Sequence, residues 1–384
     1  MRSPSRRDFL RQASAAGFGA AAISLGRGTF ARAIPALEVA PQEVAGEARL
    51  KPLGYAVVGI GAIAIGQVMP AFAETKLSRL TGFVSGHPEK ARHFARIYNV
   101  PEKNIYNYES YDQIASNPDI DVVYIALPNS MHPEYTIRGA HAGKHVLSEK
   151  PMCTSVKDAE DMIAACRYAK RRLMIAYRLR YEPNNVASIQ LCRDKQLGAV
   201  KMIDAEFAFV IGDPKQWRLN KQLAGGGSLM DIGIYCLQAA RSLAGEEPVS
   251  VHAQTWSSDP AKFAQVEESI AFMLKFPGGV LANCYSSYGE DGVDRYRAAG
   301  PGGWVEMDPA YVYSGLIQRV YRNGKTTTTQ PTGGGQFTAE IDTFSDAINR
   351  NRDVLTSGEE GLRDMKILMA CYESVETGKP VGLS

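Results

Sequence analysis

Several features are missing from most of this 384-residue sequence, and each absence excludes a class of protein. Beyond the first 33 residues, no segment approaches the ~20 consecutive apolar residues of a membrane-spanning helix. No basic run occurs in residues 34–384, which carry 37 basic and 40 acidic side chains. A mildly acidic body of this kind is not expected to bind nucleic acid or an anionic membrane. Internal repeats and low-complexity tracts are also missing, which leaves an ordinary globular protein.

The cysteines show a further absence, because no two of them form a CxxC pair. Disulfide frameworks and zinc sites usually show closely spaced cysteines. The sequence therefore predicts buried free thiols and no metal site, with a disulfide between two of the thiols as the alternative. The cysteines are Cys153, Cys166, Cys192, Cys236, Cys284 and Cys371.

The first 33 residues have the pattern of an export signal. Arg6 and Arg7 precede an Ala/Gly-rich, weakly apolar run, and Ala31-Arg32-Ala33 offers a small-x-small cleavage site. The S-R-R-x-F-L pattern resembles a twin-arginine (Tat) signal, with an amphipathic helix as the alternative. We therefore expect residues 1–33 to engage the Tat export machinery, which carries folded proteins to the periplasm. Residues 34–53 contain three prolines and are expected to form an N-terminal arm.

The rest of the sequence predicts an α/β protein with two domains. Residues 54–178 alternate strands of continuous Val, Ile, Leu and Tyr with helices, which predicts a Rossmann domain with a doubly wound parallel sheet. Residues 179–384 contain longer strands, a hairpin signal at Pro277-Gly278-Gly279 and a helix over Leu229–Leu243. This second part is expected to be an α+β domain with a large, mainly antiparallel open sheet.

A glycine-rich turn follows the first predicted strand and opens a helix. Its sequence, Gly59-Ile60-Gly61-Ala62-Ile63-Ala64, matches the GxGxxA pattern of dinucleotide sites. Gly59 permits the tight turn, Gly61 lets the backbone approach a pyrophosphate, and the helix N-terminus supplies free N–H groups. The alternative is a glycine turn in an α/β protein without a cofactor.

The end of the second predicted strand indicates which nucleotide is bound. NAD sites usually place a carboxylate there for the ribose hydroxyl, whereas this strand ends in Ser85-Gly86-His87, with Lys90 and Arg92 beyond it. A hydroxyl and nearby cations suit a 2′-phosphate, which a carboxylate would repel. This pattern favours NADP, unless Lys90 and Arg92 merely solvate a helix face.

Two segments hold groups suited to hydride chemistry. Glu149-Lys150-Pro151 follows a strand at the carboxyl end of the predicted sheet, where ligands bind in such folds. Asp231 and Tyr235 are i,i+4 neighbours, so their side chains leave the same helix face. Before them, Gly225-Gly226-Gly227 lets the backbone approach closely, and Ser228 is the expected helix N-cap.

Alcohol oxidation requires a hydride acceptor and a base for the hydroxyl proton. A tyrosine, with a reference pKa of ~10, is a poor base unless a nearby ammonium group favours its phenolate. Lys150 is suited to that role beside Tyr235, and also to hydrogen bonding with the substrate oxygen. Without such chemistry, Glu149 and Lys150 would be a solvated surface pair, and Asp231 and Tyr235 a capping and packing pair.

Together these motifs resemble the glucose–fructose oxidoreductase/inositol dehydrogenase family. The family marks occur in order as GxGxxA, E-K-P, and a D-x-G-x-(H/Y) helix whose final tyrosine is similar to the glucose–fructose branch. The resemblance implies that Lys150, Asp231 and Tyr235 are catalytic, with Tyr235 as the acid/base. It implies cofactor contacts from the following residues: Gly59, Gly61, Ala62, Ile63, Ser85, Gly86, Lys90, Leu127, Pro128, Asn129, His132, Glu149, Lys150, Arg178, Trp217, Arg218 and Tyr313.

The resemblance also implies an activity. In that branch a tightly bound, non-dissociating NADP alternates between oxidising an aldose at C1 to an aldonolactone and reducing a second sugar, an aldose or fructose, to an alditol. A homo-oligomer, dimer or tetramer, is expected. Residues 34–51 match the family's proline-rich arm poorly, which leaves the subunit count and the second sugar open. The alternatives are a conventional NAD(P)-dependent sugar or inositol dehydrogenase with exchangeable cofactor, and a periplasmic binding or assembly protein on a retired scaffold.

Overall fold

The computed structural model describes residues 50–330 and 335–383, so the predicted signal peptide and most of the predicted arm lie outside the described residues. The first half contains β1 (Leu53–Val58), α1 (Ala64–Val68 with π geometry, continuing as Met69–Ala71), β2 (Ser78–Val84), α2 (Pro88–Tyr98), β3 (Ile105–Tyr106), β4 (Val122–Ile125), α3 (His132–His141), β5 (His145–Glu149), α4 (Val156–Tyr168), β6 (Leu173–Ala176) and α5 (Pro183–Arg193). The second half contains β7 (Met202–Ala208), α6 (Leu229–Gly233 with π geometry, continuing as Ile234–Ala244), β8 (Ser250–Trp256), β9 (Ser269–Lys275), β10 (Leu281–Ser287), β11 (Val293–Gly300), β12 (Gly303–Met307), β13 (Gln318–Arg322), β14 (Lys325–Thr329), α7 (Gln336–Asn349), α8 (Gly358–Thr377) and β15 (Val381–Gly382).

The first sheet is the predicted Rossmann sheet. Its six strands are all parallel, in the order β3-β2-β1-β4-β5-β6. Strands β1, β4 and β6 are buried along their whole length, as their continuous apolar sequences predict. The strand order reverses between β1 and β4, which opens a crevice at the carboxyl ends of the strands.

The second sheet has nine strands in the order β14-β13-β12-β11-β7-β10-β9-β8-β15. All neighbouring strands are antiparallel except β7 and β10, which run parallel. The predicted hairpin at Pro277-Gly278-Gly279 joins β9 to β10, and Gly279 adopts a φ of 87° there. Buried and exposed residues alternate along β9, because helices cover only one face of the sheet.

The C-terminal part of the chain returns from the second sheet to the first. The predicted boundary at residue 178 therefore does not separate the residues that pack on the two sheets. Helix α7 packs under the first sheet, where Phe337, Ile341 and Phe344 join the apolar core beside β1. The buried Tyr55 hydroxyl donates to the carbonyl of Ile341 at 3.2 Å and shares a hydrogen bond with Ser345. The chain then pairs with β6 before α8 returns to the second sheet and covers β8.

The cysteine prediction is confirmed, because all six thiols are buried and none forms a disulfide. Burial raises the pKa of Cys153, Cys166 and Cys192 to about 12, so these thiols stay protonated and pack as small apolar side chains. In the parts of the chain that the structure describes, no helix is long and apolar enough to cross a membrane.

Candidate active site

A cleft of about 590 Å³ opens at the carboxyl edge of the first sheet and is closed on its other side by the second domain. Its volume falls within the usual range for a small-molecule site. Most of the predicted site residues converge there, from the ends of five strands and the start of α6. Those lining the cleft are Gly59, Gly61, Ala62, Ile63, Ser85, Lys90, Leu127, Pro128, Asn129, Glu149, Lys150, Arg178, Trp217, Arg218, Asp231, Tyr235 and Tyr313.

The glycine turn after β1 has the shape that a dinucleotide requires. Gly59 has a φ of +92°, and a Cβ atom there would lie 2.6 Å from the carbonyl oxygen of Ala126. A Cβ atom on Gly61 would meet no atom within 4 Å, which leaves open space beside the backbone. The turn and the start of α1 therefore form a cradle that fits the pyrophosphate of a nicotinamide dinucleotide.

Just beyond β2, the described residues that line the cleft are Ser85, His87 and Lys90, and none of these three carries a carboxylate. Gly86 does not line the cleft itself, but a Cβ atom there would lie 2.8 Å from the ring of Tyr108, which does. Arg92 lies outside the cleft and forms ion pairs with Glu89 and Glu102, both at 2.9 Å. Arg92 therefore fits the alternative of a solvated helix face, whereas Lys90 lines the cleft.

His132 requires a correction, because its ring is fully buried and does not line the cleft. Its ring nitrogens lie 2.9 Å from the carbonyl oxygens of Leu127 and Pro151. The ring therefore joins the loop after β4 to the loop after β5. Its structural role is to hold the loop that contains Lys150 against the loop after β4.

Lys150 and Asp231 form a buried ion pair at the centre of the cleft. The Lys150 ammonium donates to the backbone carbonyl of Asp231 at 2.7 Å and to its carboxylate at 3.3 Å. Burial lowers the pKa of Lys150, but the anionic forms of Tyr235, Asp231 and Glu149 raise it above its ordinary value. Lys150 is therefore a charged hydrogen-bond donor at neutral pH.

The Asp231 carboxylate is held from several sides. Besides Lys150, it accepts from Arg218 Nε at 2.9 Å and from the Tyr288 hydroxyl at 3.1 Å. Burial alone would raise the pKa of Asp231, but Arg218 and Lys150 lower it to about 2. A carboxylate that is ionised and fully hydrogen-bonded does not accept a proton at neutral pH, so Asp231 positions the two cations.

Tyr235 lies one helical turn after Asp231 and also faces the cleft. The Lys150 ammonium lies 4.8 Å from the centre of its ring. The guanidinium of Arg178 lies 4.9 Å from the same ring and donates from Nε to the hydroxyl at 3.2 Å. The phenol is thus flanked by two cations, of which the sequence pointed to only one.

The start of α6, which carries Asp231 and Tyr235, is fixed by a group that the sequence did not indicate. Ser228 does not cap the helix, because its hydroxyl bonds to the carbonyl of Ser286. The Glu267 carboxylate instead accepts from the backbone N–H groups of Gly227 and Leu229, each at 2.9 Å. A carboxylate at a helix N-terminus satisfies the free donors as a local cap would.

Aromatic side chains of the second domain form the remaining wall, and sequence reasoning missed them. Phe207, Phe209 and Tyr311 line the cleft, and the Phe207 ring lies 5.6 Å from that of Tyr235. The signal available was the alternation of phenylalanines in Glu206-Phe207-Ala208-Phe209, which places both on one face of a strand. That pattern alone does not distinguish a core face from a cleft wall.

A second group of acids lies beneath the cleft. The Tyr124 hydroxyl donates to the Glu149 carboxylate at 2.9 Å and lies 3.5 Å from that of Glu340, on α7. Glu340 is fully buried, and burial followed by the charge of Glu149 raises its pKa well above the ordinary value. Burial therefore favours the protonated form of Glu340.

Comparison with known proteins matches both domains of the chain to the same family. Residues 53–177 match the model of an oxidoreductase family with an NAD-binding Rossmann fold, GFO_IDH_MocA, and residues 187–306 match the GFO/IDH/MocA C-terminal domain. The chain is 32% identical over 338 residues to D-xylose 1-dehydrogenase [NADP(+)] of Haloarcula marismortui, covering 86% of this chain and 93% of that one.

Two solved structures show the same architecture. The crystal structure of aldose–aldose oxidoreductase from Caulobacter crescentus, complexed with glycerol, is 47% identical with a TM-score of 0.85, covering 87% of this chain and 100% of that chain. Levoglucosan dehydrogenase in complex with NADH and levoglucosan is 22% identical with a TM-score of 0.76, covering 86% of this chain and 99% of that one. At that lower identity, the likeness shows the fold alone.

Proposed function

This chain belongs to the Gfo/Idh/MocA oxidoreductase family, and from that premise we propose that it is a sugar oxidoreductase that uses NADP on aldoses. The observation that carries the proposal is the convergence of Lys150, Asp231 and Tyr235 in one cleft with the glycine turn. The relatives named for D-xylose oxidation and for aldose–aldose oxidoreduction support aldoses as the substrate class.

The residues of the cleft fit NADP. The glycine turn and the N-terminus of α1 would hold the pyrophosphate, and Ser85 and Lys90 would hold the 2′-phosphate. Leu127 and Asn129 would also contact the cofactor, and the Asn129 amide donates to the carbonyl of Ala224 at 2.8 Å and so links the two domains. When bound, NADP supplies the acceptor for the hydride that leaves C1 of the sugar.

The protein's own part in the oxidation is to bind the sugar hydroxyl and remove its proton. Lys150 uses two of its three ammonium hydrogens on Asp231, so the third is available for the hydroxyl oxygen at C1. The Tyr235 phenolate accepts the hydroxyl proton as the C1–O bond becomes a carbonyl, and the product is the aldonolactone. Phe207 and Phe209 offer apolar surface for the sugar ring.

In the reverse direction, the carbonyl carbon of a second sugar takes up the hydride that left the first sugar, Tyr235 returns the proton to the carbonyl oxygen, and the product is an alditol. We propose that NADP stays bound between the two steps. The predicted twin-arginine signal supports this, because free NADP is not expected in the periplasm and a dissociating cofactor would be lost after one turnover. The exported protein would therefore leave the cytoplasm folded and loaded.

The first experiment uses protein purified without added nucleotide. We expect it to contain NADP, to develop reduced-nicotinamide absorbance when an aldose is added, and to convert paired sugars to lactone and alditol. Tyr235→Phe is expected to lower lactone formation by about 10²–10⁴-fold while the bound nucleotide is unchanged. Tyr168→Phe is the matched control, since that tyrosine is 87% exposed on α4. Undiminished activity in Tyr235→Phe would remove Tyr235 from the mechanism.

The second candidate is a conventional NADP-dependent sugar dehydrogenase, which the name of the Haloarcula marismortui relative favours. It predicts a nucleotide-free preparation, sustained turnover only with excess NADP, and no alditol from paired sugars. Those three results together would replace the two-step cycle with a single oxidation.

A further inference from the structure

The hydrogen-bonding environment of Tyr235 differs from that expected from the sequence. In the described part of the chain, the Tyr235 hydroxyl has one hydrogen-bond partner, Arg178 Nε, at 3.2 Å. The Lys150 ammonium lies over the ring rather than at the oxygen, and it donates to the carbonyl and the carboxylate of Asp231. The cation placed to act on the reacting oxygen is therefore Arg178.

Arg178 forms no ion pair with a described carboxylate, although its charge lowers the pKa of Glu149, Asp294 and Glu340. Its four hydrogen bonds go to neutral acceptors, namely the Tyr235 hydroxyl, the Gln336 amide and the carbonyls of Tyr311 and Val312. A buried cation favours the negative form of an ionisable group to which it donates a hydrogen bond, and among the four acceptors of Arg178 that group is Tyr235.

Gln336, the first residue of α7, holds the guanidinium in place. Its side-chain oxygen accepts from Arg178 Nη1, while its NH₂ group donates to the carbonyls of Val312 and Tyr313 at 3.0 and 2.8 Å. The ring of Tyr313 also packs against the guanidinium, 4.7 Å away. An amide at this position orients the arginine without neutralising it, which a carboxylate would do.

The ionisable groups that face Tyr235 come from several elements. They are Lys150, Arg178, Asp231, Tyr124, Tyr311 and Tyr313. Burial raises the pKa of Tyr124, Tyr311 and Tyr313, so these three phenols are neutral at neutral pH. The charge of Asp231 is already engaged by Lys150 and Arg218. Lys150 attracts the Tyr235 phenolate through its charge, but Arg178 is the cation that donates a hydrogen bond to the Tyr235 oxygen.

We propose that Arg178 is a catalytic residue that stabilises the phenolate oxygen of Tyr235, and that Gln336 is the residue that positions it. The proposal rests on the function proposed above and divides the work of the two cations. Lys150, anchored by Asp231, binds the sugar hydroxyl, and Arg178 supports the base that takes the proton. Asp231, Lys150 and Tyr235 alone would leave the phenolate oxygen without a donor.

The test compares two glutamine-to-glutamate changes in the purified holoprotein. Gln336→Glu places a carboxylate against Arg178 with almost no change in size. Gln196→Glu is the matched control, because the Gln196 oxygen accepts from Arg322 Nη1 at 2.6 Å on the exposed surface. Arg178→Lys provides a second variant, which keeps the charge but loses the Nε donor. Folding and bound nucleotide are checked in each variant by circular dichroism and nucleotide content.

Two quantities are measured across the pH range. One is the ionisation of Tyr235, followed by NMR of carbon-13-labelled tyrosine and assigned by the resonance that Tyr235→Phe lacks. The other is the rate of the first oxidation step in a single turnover. In Gln336→Glu we expect both midpoints to move to higher pH by about 1–3 pH units, the range typical of a nearby charge. Arg178→Lys is expected to move them less, and Gln196→Glu not at all.

The outcomes separate this inference from the proposed function. If Gln336→Glu and Arg178→Lys leave the ionisation of Tyr235 where the wild type has it, Arg178 does not act on the phenolate, even if the protein oxidises aldoses. If Tyr235 shifts as expected but no sugar is oxidised, the inference about Arg178 stands and the proposed substrate class fails. A shift in Gln196→Glu equal to that in Gln336→Glu would also overturn the inference.

Discussion

Two arginines of this protein are almost equally buried, Arg178 at 5% exposure and Arg241 at 4%, yet their surroundings are opposite. Arg241, on α6, forms ion pairs with Glu247, Glu360 and Asp364. Arg178 contacts amide, carbonyl and phenol oxygens and aromatic rings. Arg178 lies at the cleft, and Arg241 lies in the interior of the C-terminal domain.

The difference shows what each charge does. Burial lowers the pKa of Arg241, but Asp364 and the neighbouring glutamates raise it well above the ordinary value, so this charge is fixed within the fold. A compensated buried charge joins elements of structure, here α6 to α8. A charge left without a carboxylate acts on groups in the cleft. The comparison therefore predicts that cations of the interior affect stability and cations of the cleft affect ligands.

The largest expected effect comes from removing the compensated charge. Among the described residues, Arg241 is the only cation that forms an ion pair with the fully buried Asp364, so Arg241→Met removes that ion pair, and we expect the free energy of unfolding to fall by about 3–5 kcal/mol. Urea unfolding at neutral pH measures this loss of stability. The amount of nucleotide bound to the folded protein is expected to be unchanged. Arg295→Met removes an exposed pair with Glu206 and serves as the control, with no measurable change expected. If the free energy of unfolding falls no more in Arg241→Met than in Arg295→Met, the buried ion pairs of Arg241 do not stabilise the fold as this comparison predicts.

A smaller effect is expected at the cleft, where Lys90 faces the proposed 2′-phosphate. Hydrogen bonds to charged groups contribute ~1.5–3 kcal/mol, so Lys90→Ala is expected to weaken NADP binding by about 10–100-fold and to change NAD binding little. Calorimetric titration of nucleotide-depleted protein measures both affinities. Arg92→Ala, two residues away and paired with Glu89 and Glu102, should leave both unchanged. An equal loss for NADP and NAD would remove Lys90 from phosphate recognition.

The smallest effect concerns the buried acid Glu340. Its pKa in the folded protein is raised above the ordinary 4.5, so the folded state holds a proton that the unfolded state releases. Stability from this group is complete below pH 4.5 and is lost as the pH rises toward the folded pKa. In the wild type, we expect the free energy of unfolding to fall over this pH range by at most about 1.4 kcal/mol for each pH unit. The glutamine of Glu340→Gln cannot ionise, so the free energy of unfolding of that variant is expected to stay level over the same range. Urea unfolding between acidic and alkaline pH, with the exposed Glu373→Gln as control, checks the slope. A wild-type slope that persists in Glu340→Gln contradicts the assignment.

The sequence predicted those parts of the site that depend on local chemistry. Gly59 and Gly61 were identifiable because a tight turn and a close approach of the backbone require glycine. Lys150, Asp231 and Tyr235 were identifiable from motif and resemblance, and the i,i+4 spacing of the last two predicted a shared face. The parallel sheet followed from continuous apolar strands bounded by helices.

The remainder depends on contacts between residues far apart in the chain. Glu267 caps α6 across the fold, so the local signal at Ser228 was misleading. Strands β11 to β14 were not predicted, because charged residues interrupt the apolar alternation, as in Val293–Gly300, or because the strand contains no apolar residue, as in Lys325–Thr329. The contact between Arg178 and Tyr235 joins residues 57 positions apart, and no periodicity within either segment shows it.

The return of α7 to the first sheet limits how parts of this protein can be exchanged with its relatives. A chimera that swaps residues 50–178 alone would place a foreign β1 against Phe337, Ile341 and Phe344, whose shapes match the native strand. The exchange has to carry residues 335–357 along with the nucleotide-binding half. During translation, that face of the first sheet stays uncovered until almost the whole chain has left the ribosome.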